Sequence, residues 1–129
     1  WAAADEILHG VSADAALAAC DHVVTLTSTL GFEALLRGIP VTCFGMPFYA
    51  GWGLTDDRAP VPPRRSARPS VAALAHAALI AAPRYLDPVS GLPCPPEVAV
   101  ERLASGHPLP RSLRLRLWAA AQALRARNG

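Results

Sequence analysis

The chain has 129 residues, enough for one compact domain with a buried core, and its content of 52% hydrophobic and 17% charged residues excludes a disordered protein. The net charge of +2 is too small to indicate a nucleic-acid-binding protein, and no apolar run approaches the roughly 20 residues that span a bilayer. The three widely spaced cysteines form neither a disulfide framework nor a zinc site, and they predict buried thiols in a cytoplasmic protein: Cys20, Cys43 and Cys94.

Two short elements are predicted near the amino-terminal end. Residues 6–9 have the character of a short strand, and Ser12 is placed to cap an alanine-rich helix that extends to about Ala19. A strand and a helix in this order would form one βα step before the central part of the chain.

The central part, residues 23–45, has the pattern of a βαβ unit. A β-branched run is followed by hydroxyl residues that can cap a helix beginning near Ser28, and a glycine and a proline end that helix before a second β-run. The two strands of such a unit are parallel, so the loops that follow them, residues 27–31 and 45–55, lie at the same edge of the sheet. A ligand crevice is therefore expected at that edge, with the strand order left open.

The first of these loops carries residues suited to binding an anion. Backbone N–H groups are unpaired where a helix begins, so Ser28 and Thr29 with the neighbouring amides could hold a phosphate, and Gly31 leaves room for close approach. Glu33 lies one helical turn after Thr29 and could accept hydrogen bonds from the hydroxyls of an attached ribose. The alternative is that the two hydroxyls only cap the helix and that Glu33 is a solvated charge.

The second loop is rich in aromatic residues and glycine. Flat rings stack on sugar faces and glycine permits close backbone approach, so this loop could line a nucleotide or sugar cleft, with Tyr49 nearest the ligand. The alternative is that Phe48 and Trp52 anchor a long loop to the core. The residues concerned are Gly45, Phe48, Tyr49, Gly51, Trp52 and Gly53.

The remaining polar residues of this region do not indicate catalysis. Asp56 and Asp57 stand at a loop end, and they are interpreted as solvated or paired with Arg58. The isolated histidines lack the spacing of metal ligands, so no metal site is predicted: His9, His22 and His76.

The rest of the chain is predicted to be mostly helical. Ser70 caps a helix that ends before Pro83, and after a loop another helix runs from Pro96 to about Ala104. A last helix over residues 111–127 carries an apolar stripe of leucines and alanines.

These elements predict an α/β fold, with a Rossmann-like parallel sheet flanked by helices. Three segments follow from the pattern: a βαβ nucleotide-binding core at residues 1–58, a connection rich in proline and arginine at residues 59–69, and a helical extension at residues 70–129 that packs on the core.

Several motifs of this chain closely resemble one bacterial family. They are Thr-Ser-Thr-Leu-Gly-Phe-Glu-Ala-Leu-Leu-Arg-Gly at residues 27–38, the Cys-Phe-Gly turn at residues 43–45, and Pro-Phe-Tyr-Ala-Gly-Trp-Gly-Leu-Thr at residues 47–55. The chain is similar here to the capsule polysaccharide β-Kdo transferases of the KpsC and LipA type, and the similarity continues as far as residue 88.

The resemblance implies the carboxyl-terminal half of a GT-B-like, retaining glycosyltransferase. Such an enzyme uses CMP-Kdo to build a β-Kdo linker on a lyso-phosphatidylglycerol acceptor, and it works in the cytoplasm at the inner membrane. The implied partners are therefore the donor CMP-Kdo and a glycolipid acceptor, with no separate cofactor and no nucleic acid.

The resemblance also implies roles for individual residues. Ser28 and Thr29 match the Ser/Thr motif that holds the CMP phosphate in the related bacterial sialyltransferases, and Glu33 matches the glutamate of the helix that follows it. The composition of the two loops adds four further residues to those expected at the donor, Gly31, Gly45, Tyr49 and Trp52.

One family feature has no counterpart in this sequence. A Lys-Pro-His-Pro-like segment precedes the matching region in the family, whereas the His-Pro pair here, at residues 107–108, stands far downstream. The chain is accordingly interpreted as the donor-side part of a larger protein whose amino-terminal half carries the catalytic residues. Alone it is expected to be catalytically silent.

Two further interpretations stay open at this point. The chain could be a nucleotide-binding or assembly module of capsule export without turnover. Its arginines could contact an anionic membrane, or they could be ordinary solvated charges. The arginines concerned are Arg64, Arg65, Arg68, Arg111, Arg114 and Arg116.

Overall fold

The computed structural model describes residues 4–106, which fall into two units that divide after Ala81. The first unit contains α1 (Ala13–Ala18), β1 (Val23–Thr25), α2 (Leu30–Leu36), β2 (Val41–Cys43), β3 (Asp56–Asp57) and α3 (Val71–His76), and α3 continues as a π-helical turn (Ala77–Ala81). The second unit contains β4 (Tyr85–Leu86), β5 (Pro93–Cys94) and α4 (Pro96–Ala104). The predicted helix over residues 111–127 lies outside the described residues.

The first unit is built on a parallel sheet with the strand order β1-β2-β3. Val23 of β1 is paired with Val41 of β2, and Thr42 of β2 is paired with Asp56 of β3. The β1-α2-β2 segment is thus the parallel βαβ unit that the sequence predicted, and the α/β fold class is confirmed. Strand β3 was not predicted, because two adjacent aspartates have low strand propensity and form a strand here only by pairing with β2.

One face of the sheet and the apolar side of α2 form the core. Successive strand residues point to opposite faces, so Val41 and Cys43 share a face, and both are buried with Phe32 and Leu35 of α2. Leu74 of α3 belongs to the same cluster, so α3 packs against this core. Burying each of these large apolar side chains contributes roughly 1.5–3 kcal/mol to the free energy of folding before entropy costs.

One of the two predictions for the region before β1 is confirmed and the other is wrong. The Ser12 hydroxyl accepts a hydrogen bond from the N–H of Ala15 at 3.2 Å, so the predicted cap of α1 is confirmed. The predicted strand at residues 6–9 is wrong. Ile7 and Leu8 are exposed, and no described strand lies beside them to provide the ladder of hydrogen bonds that a strand requires.

The second unit contains a short antiparallel ribbon where the sequence predicted only a loop. Tyr85 is paired with Cys94, and the turn between β4 and β5 is held by Asp87. The Asp87 carboxylate accepts hydrogen bonds from the N–H of Val89 at 3.0 Å and from the Ser90 hydroxyl at 2.9 Å, and these bonds lower its pKa below the usual value. The helices capped by Ser70 and begun by Pro96 are confirmed.

The cysteines only partly match the prediction of buried thiols. All three are free, but Cys43 is buried, Cys94 is half-buried and Cys20 is exposed, because Cys20 follows α1 at the surface. No helix within residues 4–106 is both long and apolar enough to cross a membrane.

Candidate functional site

The loops that follow β1 and β2 emerge side by side. The hydrogen-bond ladder continues beyond the strands, with the N–H of Phe44 donating to the Thr25 carbonyl at 2.9 Å and the N–H of Gly45 donating to the Leu26 carbonyl at 3.1 Å. This pairing places the two predicted loops at the carboxyl edge of the sheet, the edge at which open α/β sheets bind ligands.

The Ser28–Thr29 turn presents two hydroxyls that differ in their hydrogen bonds. The Ser28 Oγ accepts from the N–H of Leu30 at 3.2 Å, whereas the Thr29 side chain makes no capping bond to the helix. Both residues are exposed. A hydroxyl that accepts one bond can still donate its hydrogen, so either residue could donate to a phosphate oxygen. Ser28 therefore has the capping role of the alternative interpretation, and Thr29 does not.

Glu33 lies on α2 one turn beyond this pair. Its side chain is about two-fifths exposed, and its Oε2 lies 3.9 Å from Nη1 of Arg37. Arg37 makes a shorter ion pair with Asp14 at 2.7 Å and also donates to the Glu33 carbonyl at 3.1 Å. The Glu33 carboxylate is thus only loosely paired and retains acceptor capacity for further hydrogen bonds.

Tyr49 is a core residue, with 0% of its surface exposed. Its ring stacks against Phe32 with the centroids 6.2 Å apart, and its hydroxyl donates to the Ser28 carbonyl. Burial, with a smaller effect of the nearby Cys43, raises the pKa of Tyr49 to about 12. The Tyr49 side chain thus lies in the core and contacts the Ser28 carbonyl, and its place nearest the ligand stays a prediction.

The two predicted glycines serve packing between protein segments. A Cβ on Gly31 would lie 2.8 Å from Cζ of Tyr49, so the tyrosine ring occupies the space that a side chain would need. A Cβ on Gly45 would lie 2.7 Å from the Leu26 carbonyl oxygen. Since real Cβ atoms essentially never come so close, these positions exclude larger side chains in the present arrangement.

Phe48 and Trp52 remain partly accessible beside the turn. Phe48 is 44% exposed and contacts Phe32 edge-to-face, with the ring centroids 4.9 Å apart. Trp52 is half-buried, and its indole N–H donates to the Phe48 carbonyl at 2.7 Å. The rings therefore combine anchoring with accessible surface, and the assignment of Trp52 to the donor stays a prediction.

Arg65 and Asp57 form hydrogen bonds to the backbone of the aromatic loop, residues 45–55. Neither role was predicted from the sequence. Nη1 of Arg65 donates to the carbonyls of Pro47 and Ala50, each at 2.6 Å. The carboxylate of Asp57 accepts from the N–H of Gly51 at 2.8 Å. The side chains of two adjacent strand residues point in opposite directions. A prediction of β3 would therefore have indicated different roles for Asp56 and Asp57.

Asp56 behaves as the sequence predicted. It forms an ion pair with Arg58 at 2.6 Å on an exposed part of the surface. In the part of the chain that the structure describes, no three His, Cys, Asp or Glu residues are grouped so that they could hold a metal ion.

A segment of the chain is similar to curated proteins from two bacteria. It is 63% identical over 65 residues to the lipopolysaccharide-processing protein LpsZ of Rhizobium meliloti, a match that covers 50% of this chain and 14% of LpsZ. It is 54% identical over 68 residues to the capsule polysaccharide modification protein LipA of Neisseria meningitidis, covering 53% of this chain and 10% of LipA. The chain thus spans only a small fraction of the length of these relatives.

Two solved structures from Thermosulfurimonas dismutans share the fold. The KpsC β-Kdo 2,4 transferase is 41% identical with a TM-score of 0.66, over 70% of this chain and 28% of that one. The KpsC β-Kdo 2,7 transferase is 42% identical with a TM-score of 0.68, over 75% of this chain and 32% of that one. These likenesses confirm the predicted Rossmann-like, GT-B-like fold class. The profile described as "capsule polysaccharide biosynthesis protein" matches residues 2–85, and the chain therefore belongs to that family.

Proposed function

We propose that this chain supplies part of the donor site of a glycosyltransferase that transfers Kdo from CMP-Kdo during assembly of capsular polysaccharide. The observation that carries the proposal is the likeness, at 41–42% identity, to two β-Kdo transferases over 70–75% of the chain. The geometry supports it, because two exposed hydroxyls stand at the carboxyl edge of a parallel sheet.

In this proposal the Ser28–Thr29 turn contacts the CMP phosphate. Donation from the two hydroxyls would stabilise the negative charge that CMP gains as the bond to the Kdo anomeric carbon breaks. Glu33 would accept from the ribose hydroxyls, and Trp52 would face the nucleotide or sugar. Gly31, Gly45 and Tyr49 belong to the site through the packing that holds it together.

The acceptor and the location are also parts of the proposal. The acceptor is a glycolipid of the lyso-phosphatidylglycerol type, and transfer proceeds with retention in the cytoplasm, at the inner membrane. In this proposal the catalytic residues come from an amino-terminal half of a larger protein. Arg64 is exposed and could contact anionic lipid, whereas Arg65 is engaged with the aromatic loop.

A second candidate is a module that binds CMP without turnover. It is favoured by the engagement of the two carboxylates nearest the aromatic loop, since Asp56 pairs with Arg58 and Asp57 holds Gly51. Both carboxylates thus already have a partner within the protein in this arrangement.

Binding and transfer measured on the full-length protein test both candidates. Calorimetry should show binding of CMP and much weaker binding of UDP and GDP. Transfer of Kdo from CMP-Kdo to a lyso-phosphatidylglycerol acceptor would support the enzyme and exclude the silent module. CMP binding without transfer would favour the module, and equal or absent binding of all three nucleotides would contradict both.

A further inference from the structure

The hydroxyl of a buried tyrosine contacts the turn that carries Ser28 and Thr29. Tyr49 is fully buried, yet its hydroxyl donates to the carbonyl of the exposed residue Ser28. The same carbonyl accepts from the N–H of Gly31 at 3.2 Å. The turn is therefore held from two sides at the peptide that links its two hydroxyl residues.

The contact between Tyr49 and the Ser28 carbonyl requires a helix residue without a side chain. Gly31 lies in the first turn of α2, and a Cβ there would lie 2.8 Å from Cζ and 3.0 Å from Cε2 of Tyr49. Any larger residue at this position would overlap the Tyr49 ring, whose hydroxyl contacts the Ser28 carbonyl.

The position of the ring is set from the other side by the aromatic loop. Arg65 donates to the carbonyls of Pro47 and Ala50, which flank Phe48 and Tyr49 in the chain. Asp57 accepts from the N–H of Gly51 in the same loop. The loop backbone is thus anchored on both sides of Tyr49, so its hydroxyl is presented at a defined place.

We propose that Tyr49 is a positioning residue that sets the Ser28–Thr29 turn for binding the phosphate of the donor nucleotide. This inference rests on the proposed function, because it assumes that a phosphate binds at the turn. Tyr49 does not touch the ligand. It fixes the peptide between the two hydroxyls, and Thr29, which makes no capping bond, depends on that peptide for its orientation. With a pKa of about 12 the tyrosine stays protonated, so it donates at any physiological pH.

The experiment separates positioning from packing by comparing CMP with cytidine, which lacks the phosphate. In the full-length protein, Tyr49→Phe removes the hydroxyl and keeps the ring. The matched control is Thr55→Val, which removes a hydroxyl that donates to Asp57 at 2.7 Å in the same loop. Affinities for CMP and cytidine are measured by calorimetry, and thermal denaturation of each variant reports on folding.

Tyr49→Phe should weaken CMP binding about three- to tenfold, the effect of one hydrogen bond, while cytidine binding changes less than about twofold. Thr55→Val should lower both affinities by less than about twofold. Combining Tyr49→Phe with Thr29→Ala should weaken CMP binding by less than the product of the single effects, because the two residues act through one turn. Gly31→Ala, which displaces the ring from the opposite side, should reproduce the selective loss.

Each other result identifies what has failed. If Thr29→Ala weakens CMP binding and Tyr49→Phe does not, or if Tyr49→Phe weakens CMP and cytidine binding equally, the positioning role is overturned and the proposed function stands. If the wild-type protein binds no CMP, or Ser28→Ala and Thr29→Ala leave CMP affinity intact, the phosphate site itself fails and this inference with it.

Discussion

At the scale of single residues, the structure separates two hydroxyls that look equivalent in the sequence. Ser28 accepts a hydrogen bond from the N–H of Leu30, whereas the Thr29 side chain caps nothing. Capping contributes to stability, and a hydroxyl without such a bond is available for a ligand. The two residues should therefore respond differently to the same substitution.

Thr29→Ala should weaken CMP binding by about 1–3 kcal/mol, the scale of a hydrogen bond to a charged group, with little change in stability. Ser28→Ala should cost a similar amount of affinity and also about 1 kcal/mol of stability, because it removes the contact to Leu30. Calorimetry with CMP and denaturant unfolding of the full-length protein measure the two quantities. A stability loss in Thr29→Ala equal to that in Ser28→Ala would contradict the assignment.

Glu33→Gln tests the predicted ribose contact. The change keeps the shape of the side chain and removes its charge, so affinity should fall for CMP and not for pyrophosphate, which has no ribose. Stability should change little, because the exposed pair with Arg37 is long at 3.9 Å. An equal loss for CMP and pyrophosphate would show that Glu33 acts on the phosphate site instead.

At the scale of elements, the aromatic loop depends on one of two adjacent arginines. Arg65 is half-buried, donates to two loop carbonyls and lies 5.6 Å from the centre of the Trp52 ring. Arg64 is exposed. A substitution of both residues would therefore mix a loss of loop stability with any loss of membrane contact.

Arg65→Met should destabilise the protein by about 1–3 kcal/mol, since two buried carbonyls lose a charged donor. Arg64→Met, its neighbour in the chain, is the matched control and should change stability by less than about 0.5 kcal/mol. Denaturant unfolding of the full-length variants measures both. A loss of stability in Arg65→Met as small as that in Arg64→Met would show that the contacts of Arg65 contribute nothing to stability.

Membrane binding is tested with Arg64→Gln alone, which should reduce co-sedimentation with anionic vesicles if Arg64 contacts lipid.

At the scale of the whole molecule, the chain corresponds to about a third of each β-Kdo transferase structure that it matches, 28% and 32%. Among residues 4–106, the carboxylates nearest the aromatic loop are engaged in holding structure, as Asp57 is with Gly51. A complete transferase needs a base or nucleophile with a partner beside the donor.

We therefore expect no Kdo transfer from residues 1–129 alone and transfer from the full-length protein, measured with CMP-Kdo and a lyso-phosphatidylglycerol acceptor. A variant of the full-length protein that carries Thr29→Ala serves as the control for donor binding. Transfer by residues 1–129 alone would place the catalytic groups within this chain.

Local patterns were sufficient to predict the central unit. A β-branched run, a Ser-Thr turn and a glycine with a proline act on neighbouring residues, so they indicate β1, α2 and β2, and parallel pairing follows from the handedness of the connection. The caps at Ser12 and Ser70 are equally local, because each hydroxyl binds an amide three residues later. The hydroxyl pair of the candidate site was found for the same reason.

Contacts between distant parts of the chain were decided only by the tertiary structure. Whether Tyr49 or Phe48 enters the core depends on the space that Gly31 leaves 18 residues earlier, and composition alone does not show it. Asp57 contacts the aromatic loop because β3 forms by pairing with β2. Residues 6–9 have no neighbouring strand among the described residues and form no strand. Side-chain direction and strand pairing are set by partners far away in sequence. For that reason the sequence by itself determined the central βαβ unit, the helix caps and the edge, whereas the fold decided the remaining strands and the residues that support the candidate site.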